Sequence, residues 1–199
     1  MIKTQRIGIY SGTFNPVHAG HIAFALQSMK VAKLDKLYFL PERRPRSKKH
    51  VEHFGHRVAM LKQAVKPHPK FEVLELNDVS FSIQRTLPKL EIMFPDTRLV
   101  FIVGSDVAEH IGQWDYLERL FATSEILVGI RDIHDAEHLQ GVIADWKVQP
   151  LQAHILESHA ANVSSKKVRE ALQARTTIEG LLASVARYSD HNWLYVSLA

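Results

Sequence analysis

The sequence predicts an α/β fold with a doubly wound parallel sheet, because short apolar runs alternate with longer segments of helical periodicity. The apolar runs are 6–10, 37–40, 71–74, 99–103 and 126–130. The helical patterns between them include 18–33, 54–65 and 83–94. Strands separated by helices indicate βαβ units, with helices on both faces of a parallel sheet. In such a sheet we expect the ligand crevice beyond the carboxyl ends of the strands.

Prolines and the chain end refine this outline. Pro41 ends the second apolar run. Pro88 implies that the helix of 83–94 begins late or is kinked, because proline lacks an N–H donor. The stretch 176–198 has a helical pattern and is expected to pack back on the core. No repeat or linker interrupts the chain, so we expect one domain over residues 1–199.

Composition excludes several classes of chemistry. The chain has 199 residues and no cysteine, which excludes disulfides, thiolate catalysis and cysteine-ligated zinc. Its first residues are not followed by a long apolar run, so they predict neither a signal peptide nor a membrane span. We therefore expect a soluble, cytoplasmic protein. The formal net charge of +4 suits an anionic ligand but is too small to require nucleic acid.

The loop after the first strand is the strongest local signal. It reads Ser-Gly-Thr-Phe-Asn-Pro-Val-His-Ala-Gly-His over 11–21. If the helix begins near Val17, His18 and His21 share its first-turn face. Free N–H groups and the partial positive charge of a helix N-terminus attract anions, and imidazoles can add donors. Two other interpretations are a helix-capping histidine pair and a zinc pair, although the glutamate of HExxH is missing.

A second candidate anion site lies near the C-terminus, in Ser164-Ser165-Lys166-Lys167-Val168-Arg169. Either serine can cap a helix, and Arg169 falls one turn inside it. An arginine fork at a helix N-terminus suits a β- or γ-phosphate. Taken alone, the segment also fits an ordinary capped helix with a basic face.

Residues 43–50 carry an unusual density of positive charge. Arg43, Arg44, Arg46, Lys48 and Lys49 lie within seven positions. A solvated loop is one explanation, and anion binding is the other. His50, His53 and His56 follow at a spacing of three, which favours a loop and helix surface over a metal site.

Residues 12–21 resemble the GTF(D/N)PxHxGH signature of a nucleotidyltransferase superfamily that includes class I aminoacyl-tRNA synthetases. Residues 162–169 are similar to its ISSTxxR element, with Lys166 in place of the usual Thr or Ser. The resemblance implies a Rossmann-like nucleotidyltransferase fold. It also implies an ATP site built from both elements, whose residues are Ser11, Gly12, Thr13, Phe14, His18, Gly20, His21, Ser164, Ser165 and Arg169.

Four other segments resemble the nicotinate-mononucleotide adenylyltransferase family. These are the HRxxML pattern at 56–61, Gly104-Ser105-Asp106 followed by Trp114, the LVxxR strand end at 127–131, and the VxxY…LY ending at 185–195. Two segments depart from the family. Residues 80–87 carry Gln84 and one apparent insertion where the family has SYTIDTL, and 41–50 is more basic than its PPHK loop.

This resemblance implies direct transfer of AMP from ATP to nicotinate mononucleotide, giving deamido-NAD and pyrophosphate. His18 and His21 would be catalytic, and Lys48 or Lys49 would clamp phosphate. Mg²⁺ would be held by phosphates and water rather than by a dedicated carboxylate site. The acceptor-binding residues would be Gly104, Asp106, Trp114 and Arg131.

Three alternatives stay open at this point. The first is adenylyl or cytidylyl transfer to another phosphorylated acceptor, such as phosphopantetheine. The second is a nucleotide-binding regulator without turnover. The third is nucleic-acid binding through 43–49, which the lack of interleaved aromatic residues disfavours. The sequence is compatible with a homo-oligomer, and neither nucleic acid nor a membrane is expected as a partner.

Overall fold

A computed structural model describes residues 4–45, 48, 50–130, 135–158 and 163–196. Its sheet has six parallel strands in the order β3-β2-β1-β4-β5-β6. The strands are β1 (Arg6–Gly12), β2 (Lys36–Pro41), β3 (Phe71–Val73), β4 (Arg98–Gly104), β5 (Ser124–Ile130) and β6 (Ala153–Glu157). The order reverses between β1 and β4, so the crevice expected in such a sheet opens at the carboxyl ends of these two strands.

Helices cover both faces of this sheet. They are α1 (Ala19–Val31), α2 (Phe54–Val65), α3 (Thr86–Met93), α4 (Ser105–Ile111), α5 (Leu117–Thr123), α6 (Asp135–Ala144), α7 (Ser165–Gln173) and α8 (Ala183–His191). Side chains alternate along each strand: Leu99 and Phe101 pack with α3 to α6, whereas Val100 and Ile102 pack with α1, α2 and α8. The predicted Rossmann-like doubly wound fold is confirmed.

Most predicted elements lie where the periodicity put them, and the exceptions have local causes. The helix containing Pro88 begins late, at Thr86, which places the proline in the first turn. β6 was not predicted, because its residues are only half-buried and its apolar pattern is correspondingly weak.

The predicted C-terminal helix over 176–198 is too long. Within its described part only Ala183–His191 is helical. Gly180 has a φ of 87°, which excludes it from a helix, and Trp193 has a φ of 53° beyond the other end. The packing prediction is confirmed, since Val185 and Leu194 are buried among α1, α2 and sheet residues.

The amino ends of the strands, opposite the crevice, carry a buried ion-pair network. Arg6 donates two hydrogen bonds to the carboxylate of Glu125, at 2.9 and 2.6 Å, and His154 lies 3.1 Å from the same carboxylate. Burial alone would raise the pKa of Glu125. The hydrogen bonds from Arg6 and His154 outweigh that effect and hold the pKa below its ordinary value.

The helices in the described part of the chain are too short or too polar to cross a bilayer.

Candidate active site

The first motif, residues 11–21, connects β1 to α1 and places two imidazoles side by side. His18 is the N-cap of α1 and is 7% exposed. The backbone N–H of His18 donates to Nδ1 of His21 at 3.2 Å, and the two ring centroids are 3.7 Å apart. The sequence prediction of a shared first-turn face therefore matches the observed geometry.

His21 is held in one protonation state. Removal from water lowers the pKa of His21 well below its ordinary value, and the nearby His18 and Lys48 lower it further. The ring is therefore neutral at physiological pH. Because Nδ1 accepts a backbone N–H, the remaining proton sits on Nε2, where it can be donated to an anion.

The second motif, residues 164–169, forms the N-terminus of α7, as predicted. Ser164 is the N-cap, and its hydroxyl accepts from the N–H of Lys167 at 3.3 Å. The Ser165 hydroxyl donates to the carbonyl of Pro16 at 2.9 Å, and Nη1 of Arg169 donates to the carbonyl of Asn15 at 2.7 Å. The two motifs, separated by about 150 residues, are thus bonded directly to each other.

Both helix N-termini open into one cavity of about 590 Å³. The cavity is lined by eight residues that the sequence assigned to substrate binding: His18, Gly20, His21, Lys48, Gly104, Asp106, Ser164 and Ser165. Two positive helix ends and an imidazole donor facing one space suit an anion such as a phosphate, and we call this space the phosphate cavity.

The remaining predicted ATP-site residues are not among those that line the cavity: Ser11, Gly12, Thr13, Phe14 and Arg169. Ser11 and Gly12 end β1. Thr13 and Phe14 are buried, and the Phe14 ring packs edge-on against Tyr10 and Phe39. The Phe14 side chain is thus part of the core, and any contact of this residue with a nucleotide would involve its backbone.

Lys48, which the sequence predicts as a phosphate clamp, lies at the edge of the cavity. Its ammonium donates to the hydroxyl of Thr13 at 2.9 Å, and its side chain lines the cavity. The alternative clamp Lys49 and the predicted acceptor residue Arg131 lie outside the described residues.

The far wall of the cavity is formed by the ends of β4 and β5. A Cβ atom on Gly129 would lie 2.4 Å from the ring of Phe24, so glycine at this position allows the ring to pack directly on the strand. Phe24 packs edge-on against Tyr10, and both rings line the cavity. Two aromatic rings in the same cavity as the helix N-termini suit the nucleoside part of a nucleotide.

Trp114 lies apart from the other predicted acceptor residues. It lines a second cavity, of about 390 Å³, together with Phe81, Gln84, Arg85 and Tyr116. The Trp114 side chain is 36% exposed and faces the ring of Phe81 at 6.2 Å. The structure therefore brings Gly104 and Asp106 to the phosphate cavity and Trp114 to a second one.

Sequence reasoning gave no role to Arg57, although it stands in the HRxxML pattern. Its guanidinium is fully buried and donates to the carbonyls of Thr13, Glu42, Arg43 and Glu52 at 2.6, 2.8, 3.1 and 2.9 Å. Burial lowers the pKa of this guanidinium. Arg57 thus joins the first motif to both ends of the positively charged segment 43–50, which we call the basic loop. An arginine within an apolar helical stripe is the sequence signal that could have indicated this role.

The histidine series at 50–56 does not form a metal site. His53 is the N-cap of α2, where its Nδ1 accepts from the N–H of Gly55 at 3.3 Å, and His56 Nδ1 lies 3.1 Å from the hydroxyl of Tyr188. Across the described residues, no three His, Asp or Glu side chains come together in a way that could hold a metal ion.

Comparison with known proteins assigns the family. Residues 9–171 match the model of the cytidylyltransferase-like family. The chain is 33% identical to a probable nicotinate-nucleotide adenylyltransferase of Synechococcus sp. (strain JA-2-3B'a(2-13)), covering 98% of this chain and 99% of that protein. It belongs to the nicotinate-nucleotide adenylyltransferases of the cytidylyltransferase-like family.

A second sequence relative agrees with this assignment, and a solved structure matches the fold. The nicotinate-nucleotide adenylyltransferase of Bacillus subtilis (strain 168) is 29% identical over 97% of this chain and 100% of its own length. The fold matches that of Plasmodium falciparum nicotinic acid mononucleotide adenylyltransferase complexed with NaAD, with a TM-score of 0.76, 18% identity and coverage of 96% and 97% of the two chains.

Nucleotidyltransferases of this family generally use a divalent metal. Asp106 is the carboxylate among the described residues lining the phosphate cavity. One carboxylate beside two helix N-termini fits a cation that arrives bound to a triphosphate, because such cations keep several water ligands and need few from the protein.

Proposed function

We propose that this protein transfers AMP from ATP to nicotinate mononucleotide, producing deamido-NAD and pyrophosphate. The observation that carries the proposal is the pair of helix N-termini, of α1 and α7, that open into one cavity. The names of the curated relatives supply the acceptor.

The reaction needs no nucleophilic side chain. An oxygen of the acceptor phosphate attacks the α-phosphorus of ATP, the bond from that phosphorus to the bridging β-oxygen breaks, and pyrophosphate leaves. Catalysis then depends on alignment and on stabilisation of the charge that develops on the phosphates.

The proposed roles follow from position. His18 and His21 contact the α-phosphate, with Nε2–H of His21 as a neutral donor. Ser165 and Arg169 hold the β- and γ-phosphates at the N-terminus of α7. The ammonium of Lys48 donates to Thr13 and is thereby held next to the first motif. Its proposed role is to add a positive charge beside the phosphates.

Mg²⁺ is the cation proposed to accompany ATP. Mg²⁺ keeps several of its water ligands, so it suits a site where the substrate phosphates and water supply most of the ligands and the protein supplies few. Asp106 is the described residue that would approach it, directly or through water. When bound, the cation neutralises charge on the leaving pyrophosphate.

The second cavity is proposed to receive the pyridine ring of the acceptor. Trp114 offers an aromatic face for stacking. Arg85 and Asp115 are the charged side chains among its lining residues, and Arg85 comes from the segment in which the sequence departs from the family. A guanidinium of Arg85 that pairs with the ring carboxylate would favour nicotinate over the neutral amide, and Asp115 makes this selectivity depend on which of the two side chains the ring substituent meets.

Pyrophosphate release tests this function with ATP, Mg²⁺ and each of three acceptors: nicotinate mononucleotide, nicotinamide mononucleotide and phosphopantetheine. We expect release with the first, weaker release with the second and none with the third. Better use of phosphopantetheine would overturn the acceptor, and no release with any of them would overturn the function.

The acceptor end has its own matched pair of variants. Arg85→Ala should lower the ratio of kcat/KM for the acid over the amide by about tenfold, the effect of losing about 1.4 kcal/mol of charge pairing. Arg187→Ala removes an equal charge from the exposed surface of α8 and should leave the ratio unchanged. Equal ratios in both variants would remove Arg85 from the acceptor site.

A further inference from the structure

Asn15 is the point at which distant parts of the chain meet beside the phosphate cavity. Its side chain is 5% exposed. Its Oδ1 accepts from the hydroxyl of Tyr195 at 2.9 Å and from the N–H of Glu52 at 3.2 Å, while Nδ2 donates to the carbonyl of His50 at 3.4 Å. Its own carbonyl accepts from Arg169.

A shift in the position of Asn15 would also shift the N-termini of α1 and α7. It stands three residues before His18, and the next carbonyl, of Pro16, accepts from Ser165. Arg169 is bonded to the carbonyl of Asn15 itself. The position of this one residue therefore fixes the first motif and the second motif relative to each other.

Tyr195 is well anchored for holding Asn15. The preceding residue, Leu194, is buried in the core, and its N–H and carbonyl are both bonded to Ser189 of α8, at 3.0 and 3.1 Å. Tyr195 has a φ of 59°, a turn that brings its side chain back to the loop. Burial raises the pKa of its hydroxyl, which therefore stays protonated and donates.

We infer that Tyr195 is a positioning residue for adenylyl transfer, which acts through Asn15 to align the two phosphate-binding helix N-termini. The inference rests on the proposed function. It assigns a role in the reaction to the last described turn of the chain, although Tyr195 is 180 residues from Asn15 in sequence and is not among the residues lining the phosphate cavity.

The test uses two identical substitutions. Tyr195→Phe removes the hydroxyl that holds Asn15, and Tyr188→Phe removes the hydroxyl that pairs with His56 of α2. Both rings and their packing remain. We expect Tyr195→Phe to lower kcat about tenfold, because small misalignments of reacting groups are costly, with smaller changes in both KM values. Tyr188→Phe should leave kcat within about twofold of the unmodified chain. Its melting temperature should change by about as much as that of Tyr195→Phe.

A double-mutant cycle shows whether Tyr195 acts through Asn15. In Asn15→Ala, which lacks the accepting oxygen, adding Tyr195→Phe should lower kcat no further. In Asn15→Asp, which keeps that oxygen and so guards against a misfolded alanine variant, Tyr195→Phe should still lower kcat.

Three results would overturn the inference while leaving adenylyl transfer by the unmodified chain intact. They are an unchanged kcat in Tyr195→Phe, equal losses in Tyr195→Phe and Tyr188→Phe, and independent, multiplying losses from Asn15→Ala and Tyr195→Phe. Failure of the proposed function is distinguishable, because the unmodified chain itself would then release no pyrophosphate.

Discussion

Replacement of Arg57 by lysine tests whether one buried cation holds the loops around the site together. The guanidinium spreads its donors over four carbonyls, in the first motif and at both ends of the basic loop. Lysine keeps the charge but concentrates it on one ammonium, which cannot reproduce a planar fork. At least two of the four carbonyls should lose their charged donor.

The size of the effect follows from this geometry. A buried polar group left without its partner costs about 1–3 kcal/mol, so Arg57→Lys should lower the free energy of unfolding by about 2–5 kcal/mol. For a domain of this size each kcal/mol shifts the melting temperature by about 2–4 °C, which gives a decrease of about 10 °C. Turnover should fall as well, because the carbonyl of Thr13 in the first motif loses a donor.

Denaturant unfolding and pyrophosphate release measure the two effects. Arg43→Lys is the matched control, because Arg43 is partly exposed and its guanidinium reaches one carbonyl, of Leu76, and one side chain. It should cost about 1 kcal/mol or less. If Arg57→Lys were as stable and active as Arg43→Lys, the four carbonyl contacts would not organise the site.

Three further predictions concern other parts of the molecule. His18→Ala and His21→Ala should each raise the activation free energy of turnover by about 2–4 kcal/mol, the scale of a lost oxyanion donor. The melting temperature of each variant should stay close to that of the unmodified chain. Arg169→Lys should weaken ATP binding in calorimetric titration more than it changes thermal stability; the reverse pattern would make Arg169 a structural residue. Glu125→Gln should lower the free energy of unfolding by about 3 kcal/mol at neutral pH, because the half-buried guanidinium of Arg6 loses its carboxylate partner.

The pKa of Glu125 also fixes the direction of a pH effect. Because the folded-state pKa is below the unfolded value, the unfolded chain binds the proton first. The stabilisation is therefore fully present above the unfolded pKa, near pH 4.5, and is lost as the pH falls through the folded pKa. In Glu125→Gln the stability curve should be flatter over this acidic range, and an unchanged slope in denaturant titrations would contradict the network.

The sequence predicted those parts of the fold and site that depend on local pattern. Runs such as 99–103 are buried on both faces and read clearly as central strands, whereas the half-buried β6 at the sheet edge does not. The two helix N-termini at the cavity were predictable because each has its own local signal, at His18 and at Ser164.

The contacts that join these halves could not be read from the sequence. Asn15 meets Tyr195 and Arg169 across separations of 180 and 154 residues, and no local periodicity reports such pairs. Trp114 illustrates the same limit, because its sequence position eight residues after Asp106 did not reveal that the two line different cavities.

Isotope tracing tests the central claim of direct transfer most directly. Nicotinate mononucleotide carrying ¹⁸O in its phosphate is incubated with the protein, ATP and Mg²⁺, and both products are examined by mass spectrometry. If the acceptor phosphate attacks the α-phosphorus, all of the label appears in the dinucleotide and none in pyrophosphate. Label in pyrophosphate, or pyrophosphate formed without any dinucleotide, would contradict the proposed reaction.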